Sequence, residues 1–201
     1  MAPASGLLST VLGTAGAIGI FYSKRKFAKP LQAVSQIPVI NAEIVTAISL
    51  ALLFSAVFLY RTYLSLIVGH MVLCTPFVVL SVMPKLKQMD PNIYEAALDL
   101  GASPSAALFK VVIPQIFSGI VSGFMLSITL SLDDYIVTAF TKPPMFDTIS
   151  TYVYNAVKNG TNSSTPALRA LSALIFIVMI AVLLAINLRA RRPAAKKEAA
   201  Q

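Results

Sequence analysis

The 201-residue chain is 57% hydrophobic and only 12% charged, with a mean hydropathy of +0.78. A soluble domain of this length cannot bury that much apolar surface, so a bilayer is the solvent for most of it. The net charge of +8 does not point to nucleic acid, because the basic residues sit beside apolar runs without aromatic interleaving. Cys74 is the only cysteine, which excludes an intrachain disulfide and a cysteine-based metal site.

Five apolar segments reach the roughly 20 residues needed to cross a hydrocarbon core. The first is Ala4–Tyr22. It is a span and not a signal peptide, because Lys24-Arg25-Lys26 follows it and no basic region precedes it. Gly13, Gly16 and Ala17 lie along one face, where small residues let helices approach closely in lipid. The second span is Val39–Tyr60. The third, Leu64–Met83, contains Pro76, which predicts a kink or a freed carbonyl. The fourth is Ile116–Phe140 and the fifth Leu168–Leu188. Between them, Thr141–Pro166 is polar, with turn signals at Lys142-Pro143-Pro144 and Asn159-Gly160 and a short surface helix expected over Thr148–Val157. The fold class is therefore all-α: a polytopic membrane protein of about five transmembrane helices, with residues 1–190 as the transmembrane domain and 191–201 as a basic tail.

Twelve of the sixteen basic residues fall on one side if Lys24–Lys29, Lys85–Lys110 and the tail after Leu188 share it. Arg61, Lys142, Lys158 and Arg169 take the other. The positive-inside rule makes the first side cytoplasmic, so the C-terminus is inside and the protein is multi-pass. Met1 then begins almost directly on a span that must enter from the far side, which leads to the expectation of a further upstream helix.

One stretch, residues 90–114, departs from this apolar pattern. Asp90 is a good N-cap, Pro91 suits the first helical position, and Gly101 suits the left-handed residue that ends a helix. A helix of about ten residues follows from these signals, with Tyr94, Ala97, Leu98 and Gly101 on one apolar stripe and Glu95 and Asp99 on another face. Ala96 and Ala97 are small enough to seat in a partner's groove. An acidic helix is poorly suited to lying on a membrane surface, which favours a cytoplasmic protein partner.

Glu95-Ala96-Ala97, three residues, Gly101, nine residues, then Val111-x-Ile113-Pro114 resembles the EAA loop of binding-protein-dependent ABC transporter permeases of the MetI-like type. The chain departs from that pattern only by Val for Ile and Ile for Leu. Ser131-Leu132-Asp133-Asp134-Tyr135 resembles the S-x-D-D stretch of spermidine/putrescine permeases, as does Ile37–Val45, where the family usually has a second proline at the position of Asn41. The resemblance implies a permease subunit of the bacterial inner membrane that works beside a second permease subunit and two ABC ATPase subunits, and receives cargo from a periplasmic or lipid-anchored solute-binding protein. Glu95, Ala96, Ala97, Gly101, Val111, Ile113 and Pro114 would couple it to the ATPase. The chain has no Walker-type phosphate loop and no protease-like constellation around His70 or the aspartates. No catalytic or metal-ligating residue is assigned, and ATP is expected on the partner.

For the substrate pathway the candidates are Asp133, Asp134, Tyr135 and Glu43. Carboxylates at membrane depth are costly unless they face a cavity or a partner, and with aromatic neighbours they suit the ammonium groups of polyamines. Asp133 and Asp134 alternatively cap a following helix, and helical spacing of 100° predicts that only one faces a given cavity. Glu43 either lines the pathway or pairs with Lys29. His70 reads as a hydrogen-bonded packing residue, since no acid is evidently placed to take its proton. Importers of other small solutes and ion-gradient-driven carriers are the alternative functions; the carrier leaves the EAA spacing without a purpose.

Overall fold

The computed structural model describes residues 1–90 and 92–158, and isolated positions at 166–167, 170, 173–174, 176–178 and 180–181. Pro91, the Asn159-Gly160 turn, Arg169, the fifth span as a continuous element and the tail 191–201 lie outside the described residues. The chain divides into two compact units, Met1–Phe146 and Asp147–Gln201.

The first unit carries helices α1 (Ala2–Tyr22), α2 (Arg25–Ile40), α3 (Glu43–Ala56), α4 (Tyr63–Gln88), α5 (Asn92–Asp99) and α6 (Pro104–Ala107). A π-helical turn over Leu108–Val112 then leads into α7 (Ile113–Asp133), and α8 (Ile136–Thr141) follows. The second unit contains α9 (Ile149–Lys158), one residue from its expected start and end. Thr148 and Thr151 cap it reciprocally, each backbone N–H donating to the other's hydroxyl at 2.9 and 3.4 Å.

Helices α1, α4 and α7 pack on one another around Ala17, Ile20, Val78, Val82, Leu86, Val112 and Ile116. Lipid offers no hydrophobic drive for helices to associate, so close van der Waals packing through small residues must do it. Gly13 carries that contact: a Cβ placed there would lie 2.6 Å from Val78 Cβ and 3.1 Å from the Thr75 carbonyl oxygen. Ala17 is fully buried, whereas Gly16 only touches the edge of Val79. Gly13→Ala is expected to destabilise the unit by about 1–3 kcal/mol, seen as a lower unfolding midpoint in detergent. Gly19→Ala, where nothing lies within 4 Å of the added carbon, should leave that midpoint unchanged.

Three described stretches are long and apolar enough to cross a membrane: Ala2–Tyr22, Tyr63–Gln88 and Pro104–Asp133. A fourth arises if Lys26–Ile40 and Glu43–Ala56, bent by 102°, count as one broken span. α4 runs unbroken through Pro76 and Pro84. Two expected spans need correction. The second does not begin at Val39: that residue belongs to α2, and the chain turns at Asn41 and Ala42, both extended, before α3 starts at Glu43. The fourth begins earlier than Ile116, because α6, the π turn and α7 form one continuous stretch, and it does not reach Phe140. It stops at Asp133, where Asp134 takes an extended backbone (φ −63°, ψ 121°) and a short new helix follows.

Candidate functional site

The two interruptions meet. A cavity of about 530 Å³ is lined by Pro38, Val39 and Asn41 from the end of α2 and the bend, Glu43 and Thr46 from α3, Leu73 and Phe77 from α4, and Leu130, Asp133, Asp134, Tyr135 and Ile136 from the α7–α8 break. Its volume falls in the range of about 300–1,000 Å³ usual for small-molecule sites. The four residues singled out as pathway candidates, Glu43, Asp133, Asp134 and Tyr135, all lie in its wall. None of the described lining residues is basic.

Asp133 and Asp134 both line the cavity, against the expectation from helical spacing. That spacing assumed a continuous helix, and the helix ends between them. Their surroundings differ sharply: Asp133 is exposed, while Asp134 is 5% exposed. Asp134 Oδ1 accepts the Val137 N–H at 3.1 Å, and Oδ2 accepts the Thr138 N–H at 2.8 Å and the Thr138 hydroxyl at 2.7 Å. The side chain thus satisfies backbone N–H groups in the first turn of α8, a capping arrangement worth about 1 kcal/mol.

Glu43 sits in the first turn of α3, where a carboxylate is favoured by the helix dipole. No ion pair joins it to Lys29; it shares the cavity wall with Asp134 instead. The bend at Asn41–Ala42 brings this about, helped by Asn41 Nδ2 donating to Thr46 Oγ1 at 3.3 Å.

His70 departs from its expected isolation. Its Nε2 lies 3.3 Å from Asp134 Oδ2 and 2.9 Å from Thr138 Oγ1, and its Nδ1 lies 2.7 Å from Ser131 Oγ. An acid is therefore placed against it. The reading of His70 as a hydrogen-bonded residue stands, but Ser131 and Thr138 went unmarked as its partners. The only sequence signal for them was position: Ser131 opens the S-x-D-D stretch, and Thr138 follows Asp134 by one helical turn.

A second assembly stands apart from the cavity. Asp90 Oδ1 accepts the Asn92 N–H at 2.9 Å and opens α5. The helix closes with Gly101 N–H on the Leu98 carbonyl at 2.9 Å and Ala102 N–H on the Ala97 carbonyl at 3.1 Å. This is a Schellman ending that needs a left-handed residue, and Gly101 has φ +85°. Tyr94 packs against the core of α1, α4 and α7, with its ring 5.0 Å from that of Tyr22. Tyr94, Ala97 and Leu98 are half-buried, so the apolar stripe faces inward, while Glu95, Ala96, Asp99, Leu100 and Gly101 are exposed. Val111 and Ile113 are half-buried and Pro114 exposed at the start of the long α7 stretch. Pro114 cannot bond the Lys110 carbonyl, and the wider π turn, closed by Ile113 N–H on the Leu108 carbonyl, precedes it.

Residues 9–192 match the family described as "Binding-protein-dependent transport system inner membrane component". The chain is 33% identical over 192 residues to the spermidine/putrescine transport system permease protein PotC of Escherichia coli K12, covering 95% of this chain and 71% of that protein. It is 30% identical to PotC of Haemophilus influenzae over 92% of this chain and 71% of that protein. With the putrescine transport system permease protein PotI of Escherichia coli K12 it shares 32% identity, over 87% of this chain and 64% of that one. A crystal structure of an amino acid ABC transporter with histidines superimposes with a TM-score of 0.63 at 16% identity, covering 96% of this chain and 90% of that one. That likeness extends to the fold alone.

Proposed function

This chain belongs to the binding-protein-dependent transport inner membrane component family, and on that premise we propose that it moves polyamines of the spermidine and putrescine class through an ABC importer. It is a multi-pass, all-α permease subunit. The observation that carries the cargo assignment is the cavity, with Glu43, Asp133 and Asp134 in a wall that holds no described basic residue. An ammonium group entering it meets carboxylates already assembled in one wall. Tyr135 adds an aromatic face to the same wall.

On this reading residues 1–190 form the transmembrane domain, and the EAA loop and the basic tail lie in the cytoplasm, where the positive-inside count places them. The exposed face of α5 seats in a groove of a separate ATPase, which binds the ATP; a second permease subunit completes the pathway, and a solute-binding protein delivers cargo from the other side. Movement of α5 passes into the spans because Tyr94 ties it to the core of α1, α4 and α7. Glu95, Ala96, Ala97 and Gly101 make or shape that contact, and Val111, Ile113 and Pro114 set the junction of the loop with α7. The test is uptake of labelled putrescine and spermidine into proteoliposomes holding the assembled complex. ATP-dependent uptake that either polyamine competes for supports the assignment. Uptake driven by an ion gradient without ATP, or ATP-dependent uptake indifferent to polyamines, rejects it.

A further inference from the structure

Asp134 is poorly placed to be the group that grips the cargo. Both its oxygens are occupied, Oδ1 by the Val137 N–H and Oδ2 by the N–H and hydroxyl of Thr138, with His70 Nε2 3.3 Å away. Asp133, one residue earlier, is exposed in the cavity wall. The imidazole of His70 reaches both sides of the helix break. Nδ1 meets Ser131 on the last turn of α7, and Nε2 meets Thr138 on α8. The chain of contacts continues to α1, where Ser5 Oγ lies 3.2 Å from Ser131 Oγ. Ser5, His70, Ser131, Asp134 and Thr138 are all buried. The approach of α4 to α8 that this needs depends on Gly69, where a Cβ would come within 3.1 Å of Val137 Cγ1 and 3.3 Å of Thr141 Cγ2.

We propose that His70 is a positioning residue for the cargo site: it anchors Asp134 and Ser131 to α4, fixing the α7–α8 break so that Asp133 presents its carboxylate to the cavity. The two aspartates thereby divide the work, Asp134 holding the backbone and Asp133 meeting the cation. This division rests on the reading of the cavity as part of a polyamine pathway, while the anchoring itself does not. A broken helix has no backbone hydrogen bonds across the gap to keep its halves aligned, so side chains must do so. His70 contacts both halves.

The test uses the assembled complex with His70→Leu, His70→Gln, Asp133→Asn and Asp134→Asn, and the doubles of His70→Leu with each aspartate variant. His70→Leu should raise the KM for putrescine about tenfold with the complex intact, and His70→Gln, which keeps a hydrogen-bonding side chain, should recover to within about threefold of wild type. His70→Leu should add little to Asp134→Asn, because both break one contact, and should multiply with Asp133→Asn. Multiplication with both aspartates alike, or an unchanged KM in His70→Leu, overturns the proposal. A second readout needs no cargo. In a Cys74→Ser background, Ile136→Cys on the cavity wall should react severalfold faster with a methanethiosulfonate when His70 is Leu, and at the original rate when it is Gln. If the wild-type complex moves no polyamine, the functional reading fails and this labelling still decides the anchoring; equal rates in all three backgrounds overturn it.

Discussion

Asp133→Asn and Glu43→Gln are each expected to lower polyamine uptake efficiency by about ten- to a hundredfold, the equivalent of losing one charge-assisted hydrogen bond of about 1.5–3 kcal/mol. Assembly should survive, because both side chains are exposed and neither holds the fold. Asp134→Asn should behave differently. Its carboxylate caps α8 and touches His70, so the amide should reduce the amount of folded complex as well as its uptake. Measuring uptake per assembled complex separates the two effects. Spermidine, with its additional ammonium group, should lose more than putrescine when Asp133 is neutralised. Uptake unchanged in both Asp133→Asn and Glu43→Gln would remove this cavity from the pathway.

The second large effect is expected at the loop between the third and fourth spans. Gly101→Val places a β-branched residue at φ +85°, a conformation that costs an ordinary residue about 1–2 kcal/mol, and the Schellman ending of an eight-residue helix should open. Loss of ATPase from the purified complex and uptake reduced at least tenfold are expected. Gly101→Asn, which tolerates the left-handed region, should retain much of both. Glu95→Lys, on the exposed face and away from the core contact of Tyr94, should remove ATPase association without altering the thermal stability of the chain. ATPase still bound at wild-type level in both Gly101→Val and Glu95→Lys would separate this helix from the coupling role.

These two assemblies differed in how much could be read from the chain before its structure was known. The start and end of α5 were legible, because a cap and a left-handed closure are set by neighbours a few residues apart: Asp90 with Asn92, and Gly101 and Ala102 with Leu98 and Ala97. The direction of its apolar stripe was not legible, since Tyr94 finds its partners on α1 and in the core, far away in sequence. At the cavity, the acids were legible as residues too costly to leave in lipid. The geometry joining them was not. Apolar runs at Val39–Tyr60 and Ile116–Phe140 look continuous in composition, yet the first breaks at Asn41–Ala42 and the second at Asp134. Helix α2 was missed altogether, because Pro30, Pro38 and the basic cluster read locally as a connecting segment.

Composition and short-range spacing alone determined that this is a helical membrane protein and where a capped helix stands between spans. Those properties follow from transfer of side chains out of water and from hydrogen bonds closed within one or two turns. Only the tertiary structure decided that Glu43, Asp133 and Asp134 share a wall, and that His70 braces a helix break through partners 61 and 68 positions away. A side chain bridging two half-helices depends on how α4, α7 and α8 pack, and contacts across that distance leave no periodic trace in the order of residues.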